Sequence, residues 1–164
     1  METQPSDHSV QKRQTAVWKI YRRLPTAILI FNAYGVDKLN TYLHHTMYLT
    51  DLVADYFKKW NDHDGAAVGA LFAEQADLQD WNASVGGKEE IQTFNEDLFA
   101  ACPDIRCEVR NVHVSGQTMT ATCEILVHVN KNDTEAIKAV DVITFDNDGK
   151  IKNLQAFKQR MVDV

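Results

Sequence analysis

Cysteine is sparse in this chain and wrongly spaced for scaffold or zinc chemistry. Cys102, Cys107 and Cys123 are an odd set of three with no C-x-x-C pair. Neither a disulfide framework nor a thiolate zinc site is indicated, and a reducing compartment is the default. Long apolar runs are missing too. The longest stretch, Leu24 to Tyr34 (LPTAILIFNAY), is too short to cross a bilayer and is not followed by a small-residue cleavage site. No membrane partner is expected, and a cytoplasmic location is the plain reading. Positive charge is in deficit. A formal net charge of −6 argues against a general nucleic-acid binder. The sequence also has no repeats, no glycine-rich phosphate loop and no basic-aromatic stripe.

What remains is an ordinary globular composition, 45% apolar and 24% charged over 164 residues, enough for one domain with a respectable core. The charge is uneven. Up to Thr50 six Lys/Arg stand against three acids, so this part carries +3 and the remainder −9. Residues 1–49 read as an extension of no assigned function, an accessory helix or a loosely ordered segment. Their basic, acid-poor character also suits organelle targeting. Residues 50–164 read as the domain.

Thr50 is expected to cap a helix, with Asp51 favouring its positive end. Leu49, Val53, Tyr56, Phe57 and Trp60 recur at helical spacing, with Asp55, Lys58, Lys59 and Asp62 opposite. Asp64 suits the cap of a shorter helix, AAVGALFA. In ADLQDW, strand parity places Asp80 with Ala76 and Leu78. After Gly86-Gly87, KEEIQTFNEDLFAA reads as a helix with Ile91, Phe94 and Leu98 in register, stopped by Cys102-Pro103-Asp104.

Strands follow. IRCEVRNVHV is apolar at 105, 107 and 109, then at 112 and 114, and this change of parity predicts a bulge. TMTATCEILVHV alternates cleanly from Met119 to Val129. After the NKNDTE connection, KAVDVITF and KIKNLQAF flank an Asn147-Asp148-Gly149 turn as a hairpin. Helices, a strand, a helix and an antiparallel meander predict an α+β fold in which a curved sheet wraps around helices. Its concave face can hold a ligand. Its convex face, if apolar, has to be covered by a second subunit, which points to a homodimer through the sheet.

Three polar groups fall on apolar faces: Tyr56 in the first helix stripe, Asp80 at the end of its strand, and Asp141 beside Ala139, Ile143 and Phe145. A carboxylate in such a place is expensive unless it is paired, hydrogen-bonded or neutral. Each also has a plainer explanation. Tyr56 suits the core, Asp80 suits a turn cap, and Asp141 suits a pairing with lysine or arginine.

From about Leu52 to Lys158 the sequence resembles a ketosteroid isomerase of the NTF2-like (SnoaL-like) superfamily. DYFKKWNDHD resembles the tyrosine-bearing first helix of that family. ALFAEQADLQDW resembles the segment ending in its catalytic aspartate, and AVDVITFDNDGKIKNLQAF its closing hairpin with the oxyanion-binding aspartate. The resemblance implies an NTF2-like cone and a cofactor-independent isomerase that shifts a double bond next to a ketone in a small hydrophobic carbonyl compound. It implies Asp80 as the proton-shuttling base, and Tyr56 and a neutral Asp141 as donors to the oxyanion. The pocket would be lined by Trp60, Phe72, Phe94, Asn95, Ala139, Ile143, Leu154, Ala156 and Lys158.

Four positions depart from the family pattern. Phe72 and Asn95 stand where further tyrosines often support the helix tyrosine. Trp81 follows Asp80 where proline is common. Lys158 takes a pocket-mouth position that is often apolar; it either reaches Asp141 and favours its carboxylate, or snorkels outward and leaves the pocket dry.

Of the six histidines, His44, His45, His63, His113 and His128 read as surface or supporting groups, and no metal is expected. VGGK and DNDG read as turn chemistry. A related cyclase or dehydratase stays open as an alternative, as does a non-catalytic module binding a small apolar ligand or a protein partner.

Overall fold

The computed structural model describes residues 45–131 and 136–159. The expectations for residues 1–44, and for most of the NKNDTE connection, lie outside the described residues.

Helix α1 runs through residues 45–61, and Leu49, Val53, Tyr56, Phe57 and Trp60 are buried as their spacing predicts. The cap expected at Thr50 is corrected. Thr50 lies inside the helix, and its hydroxyl donates to the Thr46 carbonyl at 2.9 Å. Leu49, one residue earlier, is fully buried in the same stripe, so packing carries the helix past the local capping preference. Helix α2 is short, Gly65–Gly69, with Asp64 accepting from the Ala67 amide at 2.9 Å. It ends earlier than AAVGALFA suggests because Phe72 opens strand β1, Phe72–Gln79, and pairs with Ile151.

A short return strand, β2 (Ser84–Gly86), pairs with β1 and was not legible in the sequence. Helix α3 spans Lys88–Ala101, the bounds its sequence predicts. Its buried stripe differs from the expected one. Ile91, Asn95 and Phe99 point inward, while Phe94 and Leu98 are half-buried. Asn95, 1% exposed, satisfies its amide by donating to the Ile91 carbonyl at 2.8 Å.

The meander comprises β3 (Arg106–Ser115), β4 (Thr120–His128), β5 (Ile137–Phe145) and β6 (Ile151–Lys158). The six strands lie in the order β2-β1-β6-β5-β4-β3. All neighbours are antiparallel except β1 and β6, which run parallel. The bulge read from the parity change is present, between Val109 and Asn111. At the β5–β6 turn, Asp146 Oδ1 accepts from the amides of Asp148 and Lys150 at 2.9 and 2.8 Å, and Gly149 supplies the positive φ of 77°.

This is the α+β, NTF2-like architecture expected: a curved sheet whose inner face is covered by helices. Ala121, Cys123, Ile125 and Val127 of β4 and Ala139, Ile143 and Phe145 of β5 share one core with α1 and α3. No described helix is long and apolar enough to cross a membrane.

Candidate active site

Strand register brings the distant acids together. Cys123 faces Asp141 across β4 and β5, and Asp141 faces Ala156 across β5 and β6. On the other side of β6 the parallel ladder pairs Gln79 with Gln155, so Asp80, one residue past the end of β1, keeps step with Ala156. Two strand spacings separate the backbones of the acids, about 10 Å. Asp80 and Asp141 thus flank Ala156 on the inner face.

Asp141 is 5% exposed, and its Oδ1 is buried without a hydrogen-bond partner. Burial, and then the negative charge of Asp80, push its pKa up to about 7. Of the two sequence-level alternatives for Lys158, an ion pair with Asp141 is not present: Asp141 Oδ1 has no hydrogen-bond partner. The Lys158 Nζ lies 5.7 Å from the centre of the Trp81 ring.

Tyr56 comes from α1 and is 4% exposed. Its ring stands edge-on to Phe57 and Phe72, with centroids 5.0 and 6.3 Å away. Phe72 therefore holds the ring by its edge. Burial, then Asp141, then the two inward cysteines raise the Tyr56 pKa well above that of an ordinary phenol. It remains an O–H donor at physiological pH.

Asp80 does cap a turn. Its Oδ1 accepts from the amides of Asn82 and Ala83, each at 2.6 Å, and its own amide donates to the Ala83 carbonyl at 2.9 Å. Only one carboxylate oxygen is engaged, so the turn fixes Asp80 without consuming it.

The remaining residues expected at the pocket divide. Ala139, Ile143 and Leu154 are buried on the inner face, Ala156 is half-buried there, and Lys158 is exposed at its rim. Trp60 packs edge-on against Phe99 at 5.3 Å, deep in the core, and Asn95 is bound to its own helix. Cys107 and Cys123 were missed, although both sit on inward parity. Their thiols are held protonated by burial and then by Asp141, Cys123 being pushed up to about 12. Among the described residues, no three His, Cys, Asp or Glu side chains gather as a metal site.

The outer face carries an open groove of about 560 Å³, lined by Leu126, Val140 and Phe157 among others.

Chemically, the inner face pairs a turn-tethered acid that has a free oxygen with a buried acid that holds its proton up to about pH 7 and a buried phenol. That combination can accept a proton at one point and donate hydrogen bonds at another.

The SnoaL-like domain model matches residues 53–154. No curated protein matches the chain. Several solved structures share the fold. A protein of unknown function with a cystatin-like fold from Methylobium petroleophilum is 16% identical, with a TM-score of 0.63 over 71% of this chain and 79% of that one. SalBIII, described as an epoxide hydrolase/cyclase-like enzyme in pyran ring formation in salinomycin, is 21% identical, with a TM-score of 0.60 over 70% and 92%. A protein with a ketosteroid isomerase-like fold from Catenulispora acidiphila, in complex with trimethylamine, is 19% identical, with a TM-score of 0.57 over 65% and 83%.

Proposed function

The chain belongs to the SnoaL-like domain family, and from that premise we propose that its inner face is a cofactor-independent acid–base site for a small apolar carbonyl compound. The preferred reaction is the shift of a double bond next to a ketone. Asp80 takes a proton from the carbon α to the carbonyl through its free oxygen. The electron pair moves to the carbonyl oxygen, which Tyr56 and neutral Asp141 stabilise by hydrogen bonds. Asp80 then returns the proton further along, and the carbonyl reforms. Donors fixed where charge develops are worth about 3 kcal/mol each in comparable sites.

One observation carries this reading: the unpartnered, buried Oδ1 of Asp141, on an acid whose pKa burial pushes up to about 7, beside one that stays tethered by two amides. The same pair favours a second reading, ring closure or dehydration. There Asp141 gives its proton to a departing oxygen, while Asp80 takes one from the attacking hydroxyl or from carbon.

A second copy of the chain is assigned to the outer face. Phe157 is 56% exposed there. Glu108, Glu124, Arg110 and Lys138 put both signs of charge around it, so a two-fold axis can set acid against base.

Asp80→Asn is expected to lower turnover of a β,γ-unsaturated ketone by at least about a hundredfold while leaving the circular dichroism spectrum unchanged. Undiminished turnover in that variant removes Asp80 from the chemistry.

A further inference from the structure

We propose that Lys158 is the anion-binding end of the concave site, so that the molecule bound there carries a carboxylate a few bonds from its carbonyl; this rests on the acid–base reading of that site. Ala139 pairs with Lys158 and Asp141 with Ala156, which puts the lysine on the same sheet face as both acids. Lys158 is the diagonal neighbour of Asp141, a separation of about 7–8 Å between backbones. Among the residues these ladders pair on the inner face, it alone carries positive charge. The others are apolar, thiol or acidic.

Lys158 is also held in place. Its ammonium rests over the ring of Trp81, the half-buried residue that follows Asp80. A cation–π contact orients an ammonium without neutralising it, and no carboxylate among the described residues forms an ion pair with Lys158. An anion seated beside the Asp80 carboxylate would be repelled. Lys158 offsets that repulsion at the rim only. A carbonyl seated over Asp141 and a carboxylate at Lys158 then fit one compact oxo acid or carboxylated ring.

Two phenols that differ only in charge test this. Titrate 4-hydroxyphenylacetate and 4-hydroxyphenylacetamide by calorimetry near pH 6 at low ionic strength, the phenol oxygen serving Asp141 and the side chain reaching Lys158. The unaltered protein should prefer the carboxylate about fivefold, and about 0.5 M salt should shrink that ratio. In Lys158→Met the ratio should fall to about one, and in Lys158→Glu the amide should be preferred. Equal affinities in the unaltered protein, or a preference that survives Lys158→Met, overturn the inference and leave the acid–base site standing. Amide binding that is indifferent to Asp141→Ala, or no binding of either probe, overturns the acid–base reading and the inference with it.

Discussion

Asp141 sets the terms at the scale of single residues. Native burial holds a proton that the unfolded chain releases at an ordinary carboxylate pKa, near 4. Below that value both states are protonated and burial carries no ionic penalty. As pH rises from about 4 towards the native value of about 7, the unfolded state ionises first and stability falls. Above about 7 the loss is complete, on the order of 4 kcal/mol. Asp141→Asn has no proton to lose. The difference in urea-unfolding free energy between variant and wild type should therefore move in the variant's favour by roughly 3–4 kcal/mol from pH 4 to pH 8. The same titration removes a hydrogen-bond donor, so kcat/KM should decline above about pH 7. A pH-independent difference would mean that the acid is compensated by a partner. Sequence parity was enough to show Asp141 and Asp80 on inward faces, because alternation is a local property. The position of the Lys158 head group was not legible. It depends on Trp81, brought alongside by the parallel ladder.

Among the elements, the β5–β6 hairpin fixes which residues face Ala156. Its turn combines the Asp146 carboxylate, which gathers two amides, with Gly149 at φ 77°. A Cβ at Gly149 would also collide with the Tyr48 hydroxyl of α1. Gly149→Ala should therefore cost on the order of 1–2 kcal/mol for the left-handed conformation alone, and more for the collision. Chemical denaturation measures it, and an unchanged midpoint would show that the turn can relax. This hairpin, the β3 bulge and the bounds of α3 were readable because turn residues and periodicity encode them within a few neighbours. The passage of α1 through Thr50, the end of α2 and the whole of β2 were not. Each is decided by a partner remote in sequence: the core under Leu49, Ile151 beside Phe72, and β1 beside Val85. Asn95 belongs with them, since nothing local marks an asparagine for the buried stripe.

For the molecule as a whole, the outer face makes the clearest demand. Phe157 stands exposed beside Leu126 and Val140, and Val140 is its direct cross-strand partner. Phe157→Glu should turn a dimer into a monomer in sedimentation equilibrium, with the far-ultraviolet spectrum retained, because like charges then meet at the two-fold axis. A wild-type protein that sediments as a monomer at micromolar concentration would remove the second copy from that face.

Strand β6 lies between β1 and β5, although its residues come last among the described strands. Until it docks, Asp80 and Asp141 have no common neighbour, and the longest loop closure in the sheet is still unpaid. A ribosome-bound chain that has yet to release residues 151–158 would therefore hold both acids hydrated and apart. The juxtaposition of the two acids would arrive only with the insertion of this clasp.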